Sequence, residues 1–195
     1  VALSGGSTPQ ALYEALAGAA LDWSSVECFW SDERFVPASD PHSNEGMARR
    51  ALLGRVGVRH VFPMVAAATP EACAARYEQV LPEALDLALL GLGADGHTAS
   101  LFPGTAAVAE RQRLVCELYL PEQDMHRLTM TVPLLNQARQ VVFLVSCAGK
   151  AAMLQQVLSD TVDSVGQMPP AGLIRPIGGE LDWLVDAAAA SNLHL

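Results

Sequence analysis

Strand-length apolar runs recur along this chain, and several end in turns rich in glycine, serine or aspartate. Residues 1–3, 26–30, 87–92, 114–120, 128–132 and 141–146 carry the β-branched, aromatic or near-continuous apolar character of strands. Helical patterns fall between and after them, at 9–18, 45–53, 70–81, 150–158 and 182–190. Pro9 and Pro70 suit the first turns of their helices, whereas 31–43, with Pro37, Pro41 and several Asp and Ser residues, reads as a loop. Strands that are apolar nearly throughout must be covered on both faces. Their alternation with helices predicts an α/β chain, a three-layer α/β/α arrangement around a mainly parallel, Rossmann-like sheet. Ligands of such folds bind beyond the carboxyl ends of the strands, which is where the glycine-rich turns fall.

The 195 residues fit one domain, 1–195, with a core large enough to need no disulfide or metal staple. Cys28, Cys73, Cys116 and Cys147 are far apart in sequence and show no zinc spacing, so each is expected to be a small buried residue in a reducing compartment such as the cytoplasm. No apolar run reaches the length of a membrane span, and no signal peptide is visible, so no membrane is expected. The net charge is −9; Lys150 is the only lysine and the arginines are scattered, which excludes a basic nucleic-acid face. An anionic ligand must therefore be held by a few local cations.

Four segments could supply chemistry. Ser4-Gly5-Gly6-Ser7-Thr8-Pro9 joins a strand to a helix. Its glycines allow close backbone approach, Ser7 or Thr8 could cap the helix, and a helix N-terminus favours phosphate; it is no Walker loop, because no Gly-Lys-Ser/Thr follows. Ser31-Asp32-Glu33-Arg34 sets two carboxylates and a guanidinium after a strand, either as an oxyanion clamp or as a solvated local ion pair. Gly91-Leu92-Gly93-Ala94-Asp95-Gly96-His97 matches a dinucleotide fingerprint literally, but Pro103-Gly104 follows too soon for the required helix. What stands out there is His97, two residues from Asp95, since a carboxylate can orient an imidazole as a general base. Gly149-Lys150 opens a helix after a strand and could meet a phosphate, and Arg127, before 128–132, is a similar candidate. His42, His60 and His126 read as loop or strand-end residues and His194 as a tail residue. No metal site is suggested.

Taken in order, these segments resemble the glucosamine-6-phosphate isomerase/6-phosphogluconolactonase family, its lactonases above all. V-A-L-S-G-G-S-T-P (1–9), W-S-D-E-R-F-V-P (30–37) with S-N (43–44), and L-G-L-G-A-D-G-H-T-A-S-L-F-P-G (90–104) carry the resemblance. Arg127 with L-T-M-T-V-P-L-L-N (128–136), A-G-K-A (148–151) and P-A-G-L-I-R-P (170–176) extend it over nearly the whole chain. The resemblance implies a fold like that of ribose-5-phosphate isomerase and the CoA transferases. It implies hydrolysis of 6-phospho-D-glucono-1,5-lactone to 6-phospho-D-gluconate in the oxidative pentose phosphate pathway, without metal or organic cofactor and without an obligate protein partner. It also implies a helical segment ahead of the first glycine-rich strand, and Val1 is expected to lie downstream of that segment.

Carried over, the phosphate would lie on Gly5, Gly6, Ser7 and Thr8, with Lys150 and Arg127 supplying charge. Arg34 would reach the substrate, and Asn44 would hold its loop or the sugar. His97 would be the base, oriented by Asp95 or Asp32. Backbone N–H groups of 93–96, or Arg34, would hold the oxyanion. Competing readings are a glucosamine-6-phosphate deaminase or isomerase, a non-catalytic sugar-phosphate sensor and a nucleotide-binding module.

Overall fold

The computed structural model describes residues 1–159, 161–162 and 166–193. Its first half contains β1 (Ala2–Leu3), α1 (Ser7–Leu16), β2 (Glu27–Trp30), β3 (Asp32–Arg34), α2 (Asn44–Ala48), β4 (His60–Val61), α3 (Pro70–Glu78) and β5 (Ala88–Gly91). There follow α4 (Ala106–Ala109), β6 (Val115–Leu120), β7 (Met125–Met130), α5 (Val132–Leu135), β8 (Gln140–Val145), α6 (Ala151–Leu158) and β9 (Glu180–Val185). Six strands form the central sheet in the order β4-β2-β1-β5-β8-β9, every pairing parallel. Helices flank it, as the sequence predicts for strands such as β8, whose residues Val141–Val145 are all buried. Among the described residues, no helix is long and apolar enough to cross a membrane.

A second sheet, antiparallel and ordered β3-β7-β6, was not foreseen. Segment 31–43 is not all loop, because the chain passes from β2 through Ser31 directly into β3. The backbone N–H of Ser31 donates to Leu3 O in the large sheet, and its carbonyl accepts from Met130 N in the small one, both at 2.8 Å. Asp-Glu-Arg has poor strand propensity; pairing with β7 and internal partners for the carboxylates override it.

Four other expectations are corrected. Segment 182–190 is not a terminal helix: Glu180–Val185 pairs in parallel with β8, and a short 3₁₀ turn follows at Ala189–Asn192. Leu181, Trp183 and Val185 alternate with period two, and Trp183 stacks on Phe143 at 4.0 Å between centroids. The strand placed at 128–132 is β7, shifted toward the N-terminus, so Arg127 stands inside it. Neither Ser7 nor Thr8 caps α1. Gly6 is the capping position, at φ +104°, a conformation open to glycine, and Ser7 and Thr8 form the first turn. Cys28, Cys73 and Cys116 are buried as expected, but Cys147 is exposed where β8 turns outward. His194 lies outside the described residues.

Candidate active site

Chain order in the large sheet runs from β1 to β2 and β4 on one side, then from β5 to β8 and β9 on the other. The reversal between β1 and β5 leaves a crevice at their carboxyl ends. A cavity of ≈ 210 Å³ occupies it. Gly5 and Gly6 after β1, Asp32 and Arg34 on β3, and Asn44 opening α2 line one part. Gly93 and His97 after β5, Arg127 on β7 and Lys150 after β8 line the rest. Ser7 and Thr8 fall just beyond it; the Thr8 hydroxyl instead meets that of Ser146 at 2.6 Å, tying α1 to the end of β8. A larger cavity, ≈ 540 Å³, lies against Val1, Glu27 and Asp86, and with no arginine or lysine in its wall it suits an anion poorly.

His97 is held from two sides. Its Nδ1 lies 2.5 Å from Asp95 Oδ1, which also accepts the His97 backbone N–H at 3.1 Å. Burial pushes the Asp95 carboxyl up, but the backbone bond and the imidazole outweigh it and hold it below the ordinary aspartate value. An ionised carboxylate only accepts, so Nδ1 is the donor in this pair, which in the neutral imidazole leaves the Nε2 lone pair free. Gly93 makes room for this arrangement: a Cβ there would strike the His97 ring and come within 2.6 Å of Asp95 Oδ1.

Asp32 is placed differently. Its Oδ2 accepts from Ser100 Oγ at 2.6 Å and its Oδ1 from Asn44 Nδ2 at 3.1 Å, with Arg127 at 3.7 Å. Of the two candidate partners for His97, it is Asp95 that makes the contact. Asn44 packs so closely on Gly5 that a Cβ on that glycine would collide with its amide.

The cations are arranged at a cost. Arg34 and Arg127 stand directly opposite each other on β3 and β7, and like charges in that position repel. Burial lowers the Arg127 pKa, and Arg34 lowers it further. Arg34 NH1 donates to His42 O at 2.5 Å, and the Arg127 amines donate to Ser100 Oγ and Gln123 Oε1. Both Nε atoms are buried without a partner. Two opposed guanidiniums, and Lys150 across the cavity, make a site that an anion would stabilise.

Glu33 was not singled out as a site residue. Its carboxylate is buried and accepts from Arg34 N at 2.7 Å, Asn44 N at 2.8 Å, Glu45 N at 2.6 Å and Ser43 Oγ at 3.0 Å. It thus ties β3 to the start of α2 and fixes both Arg34 and Asn44. Burial raises its pKa even though these bonds pull the other way. The motif Ser31-Asp32-Glu33-Arg34 contained it, but nothing in the sequence said that it pointed inward.

Fold and site define a class: a Rossmann-like α/β protein with an anion-ready crevice at the sheet's switch point and an oriented histidine in its wall. The chain matches the family described as glucosamine-6-phosphate isomerases/6-phosphogluconolactonase over residues 1–183, and it belongs to that family. It is 47% identical over 207 residues to a 6-phosphogluconolactonase of Synechocystis, spanning 100% of this chain and 84% of that one. A 6-phosphogluconolactonase of Nostoc is 43% identical over 210 residues, with 100% and 85% covered. The solved structure of 6-phosphogluconolactonase from Trypanosoma cruzi superimposes with a TM-score of 0.85 at 31% identity, covering 100% of this chain and 84% of that one.

Proposed function

We propose that this chain hydrolyses 6-phospho-D-glucono-1,5-lactone to 6-phospho-D-gluconate, with His97 as general base on water. The observation that carries the reading is the His97–Asp95 pair, its Nε2 free, in the wall of a cavity that also holds Arg34, Arg127 and Lys150. Relatives named for this activity, matched over the full chain, support it.

In this reading the phosphate rests near Gly5, Gly6 and Lys150, with Arg127 adding charge, while Ser7 and Thr8 shape the turn behind it. Nε2 of His97 takes a proton from water as the oxygen attacks the lactone carbonyl. Asp95 stabilises the imidazolium that forms. Arg34 or backbone N–H groups of 93–96 hold the tetrahedral oxyanion. On collapse the bond from the carbonyl carbon to the ring oxygen breaks, and that oxygen recovers the proton from His97. Water has then been added across one ester bond, the new carboxylic acid ionises to the carboxylate and releases one proton, and no covalent intermediate is needed. Asp32 and Asn44, bonded to each other, serve to place Arg34 and the sugar hydroxyls. We treat 1–195 as one hydrolase unit because both sheets contribute to this cavity. We assign the reaction to the cytoplasm, a placement supported by four free cysteines.

The test compares two substrates, since the family description also names glucosamine-6-phosphate isomerases. Proton release from fresh lactone should be accelerated well above the unaided rate, and no ammonia should be released from glucosamine 6-phosphate. Ammonia release without lactone hydrolysis would replace this reading with the isomerase one.

A further inference from the structure

Phe102 lies in the loop after β5 and has no polar group to offer. Two functional side chains nevertheless rest on its ring. The His97 imidazole is 4.2 Å away between centroids, tilted by 30°. The Arg127 guanidinium carbon stands over the same ring, 5.3 Å from its centroid.

Each contact answers a deficiency in its partner. The Asp95 bond fixes His97 at one atom, Nδ1, and leaves the imidazole free to swing about it. A flat neighbour removes that freedom and so fixes where Nε2 points. Arg127 is buried beside the like charge of Arg34, and its nearest carboxylate, Asp32, is 3.7 Å away. An aromatic face attracts a guanidinium without supplying a competing anion, so the cation stays ordered in the cavity wall. A carboxylate in the same place would neutralise the site.

We propose that Phe102 is a positioning residue that sets the general base and the anion-binding arginine from one ring, aligning the reacting end of the site with its charged wall. The inference rests on the lactonase reading above. It predicts that one substitution disturbs both kinetic parameters: turnover through His97, and substrate affinity through Arg127. A misplacement of order 1 Å at a base costs on the order of 100-fold.

The test compares Phe102→Leu, which keeps apolar bulk but loses the π face, with Phe102→Tyr, which keeps the ring. Leucine should lower kcat by about 10- to 100-fold and raise KM several-fold, while tyrosine should retain most of both. The His97 ring protons, shifted upfield by the phenyl ring current in the wild type, should move downfield in the leucine variant and not in the tyrosine one. Wild-type kinetics for Phe102→Leu would overturn the proposal. So would equal losses in both variants with a lowered melting temperature, which would make the ring a structural filler. If the wild-type protein itself fails to hydrolyse the lactone, the lactonase reading falls first. The proton shifts then still decide the stack, and unchanged shifts in Phe102→Leu would overturn it.

Discussion

Removing the Glu33 carboxylate should unfold the wall of the site from within. In Glu33→Ala, two buried backbone N–H groups (Asn44, Glu45), the partly buried N–H of Arg34 and the Ser43 hydroxyl lose their acceptor. A buried donor left unpaired costs about 1–3 kcal/mol. Partial relaxation of the loop between β3 and α2 brings the sum to about 3–5 kcal/mol, a large share of the roughly 5–15 kcal/mol that holds a domain together. Glu33→Gln should behave differently. Its amide oxygen can still serve Arg34 N and Asn44 N. Its NH₂ can donate to Ser43 Oγ, which also accepts from Gly46 N, so Glu45 N and the Ser43 hydroxyl proton lose their acceptor. Loss of a buried charge offsets part of that, leaving about 1–2 kcal/mol. Urea unfolding followed by tryptophan fluorescence reads both differences. Equal destabilisation by Ala and Gln, or a loss under about 0.5 kcal/mol for Ala, would refute the argument that these bonds hold the wall.

Asp95→Asn should lower kcat by about 10- to 100-fold and change KM little, since the amide no longer fixes the His97 tautomer. Because the Asp95 pKa is depressed on folding, its stabilising contribution is complete above the unfolded value of about 4 and is lost as pH falls through the lower folded value. The gap in melting temperature between wild type and Asp95→Asn should thus close as pH falls below about 4. Gly93→Ala should keep the fold but lower kcat at least about 10-fold, because the methyl group displaces the His97 ring; circular dichroism alongside steady-state kinetics checks it. Lys150→Ala should raise KM about 10- to 100-fold, the worth of one charge-assisted hydrogen bond, with kcat nearly unchanged.

Much of this architecture was legible because parallel strands buried on both faces leave a strong apolar signature. Segments 87–92 and 141–146 were readable for that reason, and they correspond to β5 and β8. The failures have local causes. In 182–190 the alanine run Ala187–Ala190 masked the alternation that makes Glu180–Val185 a strand. In β3 three charged residues hid a strand whose carboxylates are satisfied internally. Of the site, the loops after β1, β5 and β8 could be located because glycine marks each one. Sequence spacing could not say which aspartate reaches His97, nor that Arg34 and Arg127 stand opposite each other. The first is settled by the local fold of 93–97; the second depends on pairing between β3 and β7, which are about 90 residues apart. Phe102 falls within the motif 90–104, but an aromatic residue gives no sign in sequence of what rests on it.

The proposed reaction turns on His97 as the base in lactone hydrolysis. The most direct measurement follows fresh 6-phosphogluconolactone at neutral pH with the wild-type protein, folded His97→Ala, and no enzyme. The wild type should accelerate hydrolysis, and the variant should lose about 10²–10⁴-fold in kcat with substrate affinity largely kept. Full turnover by His97→Ala would contradict the account.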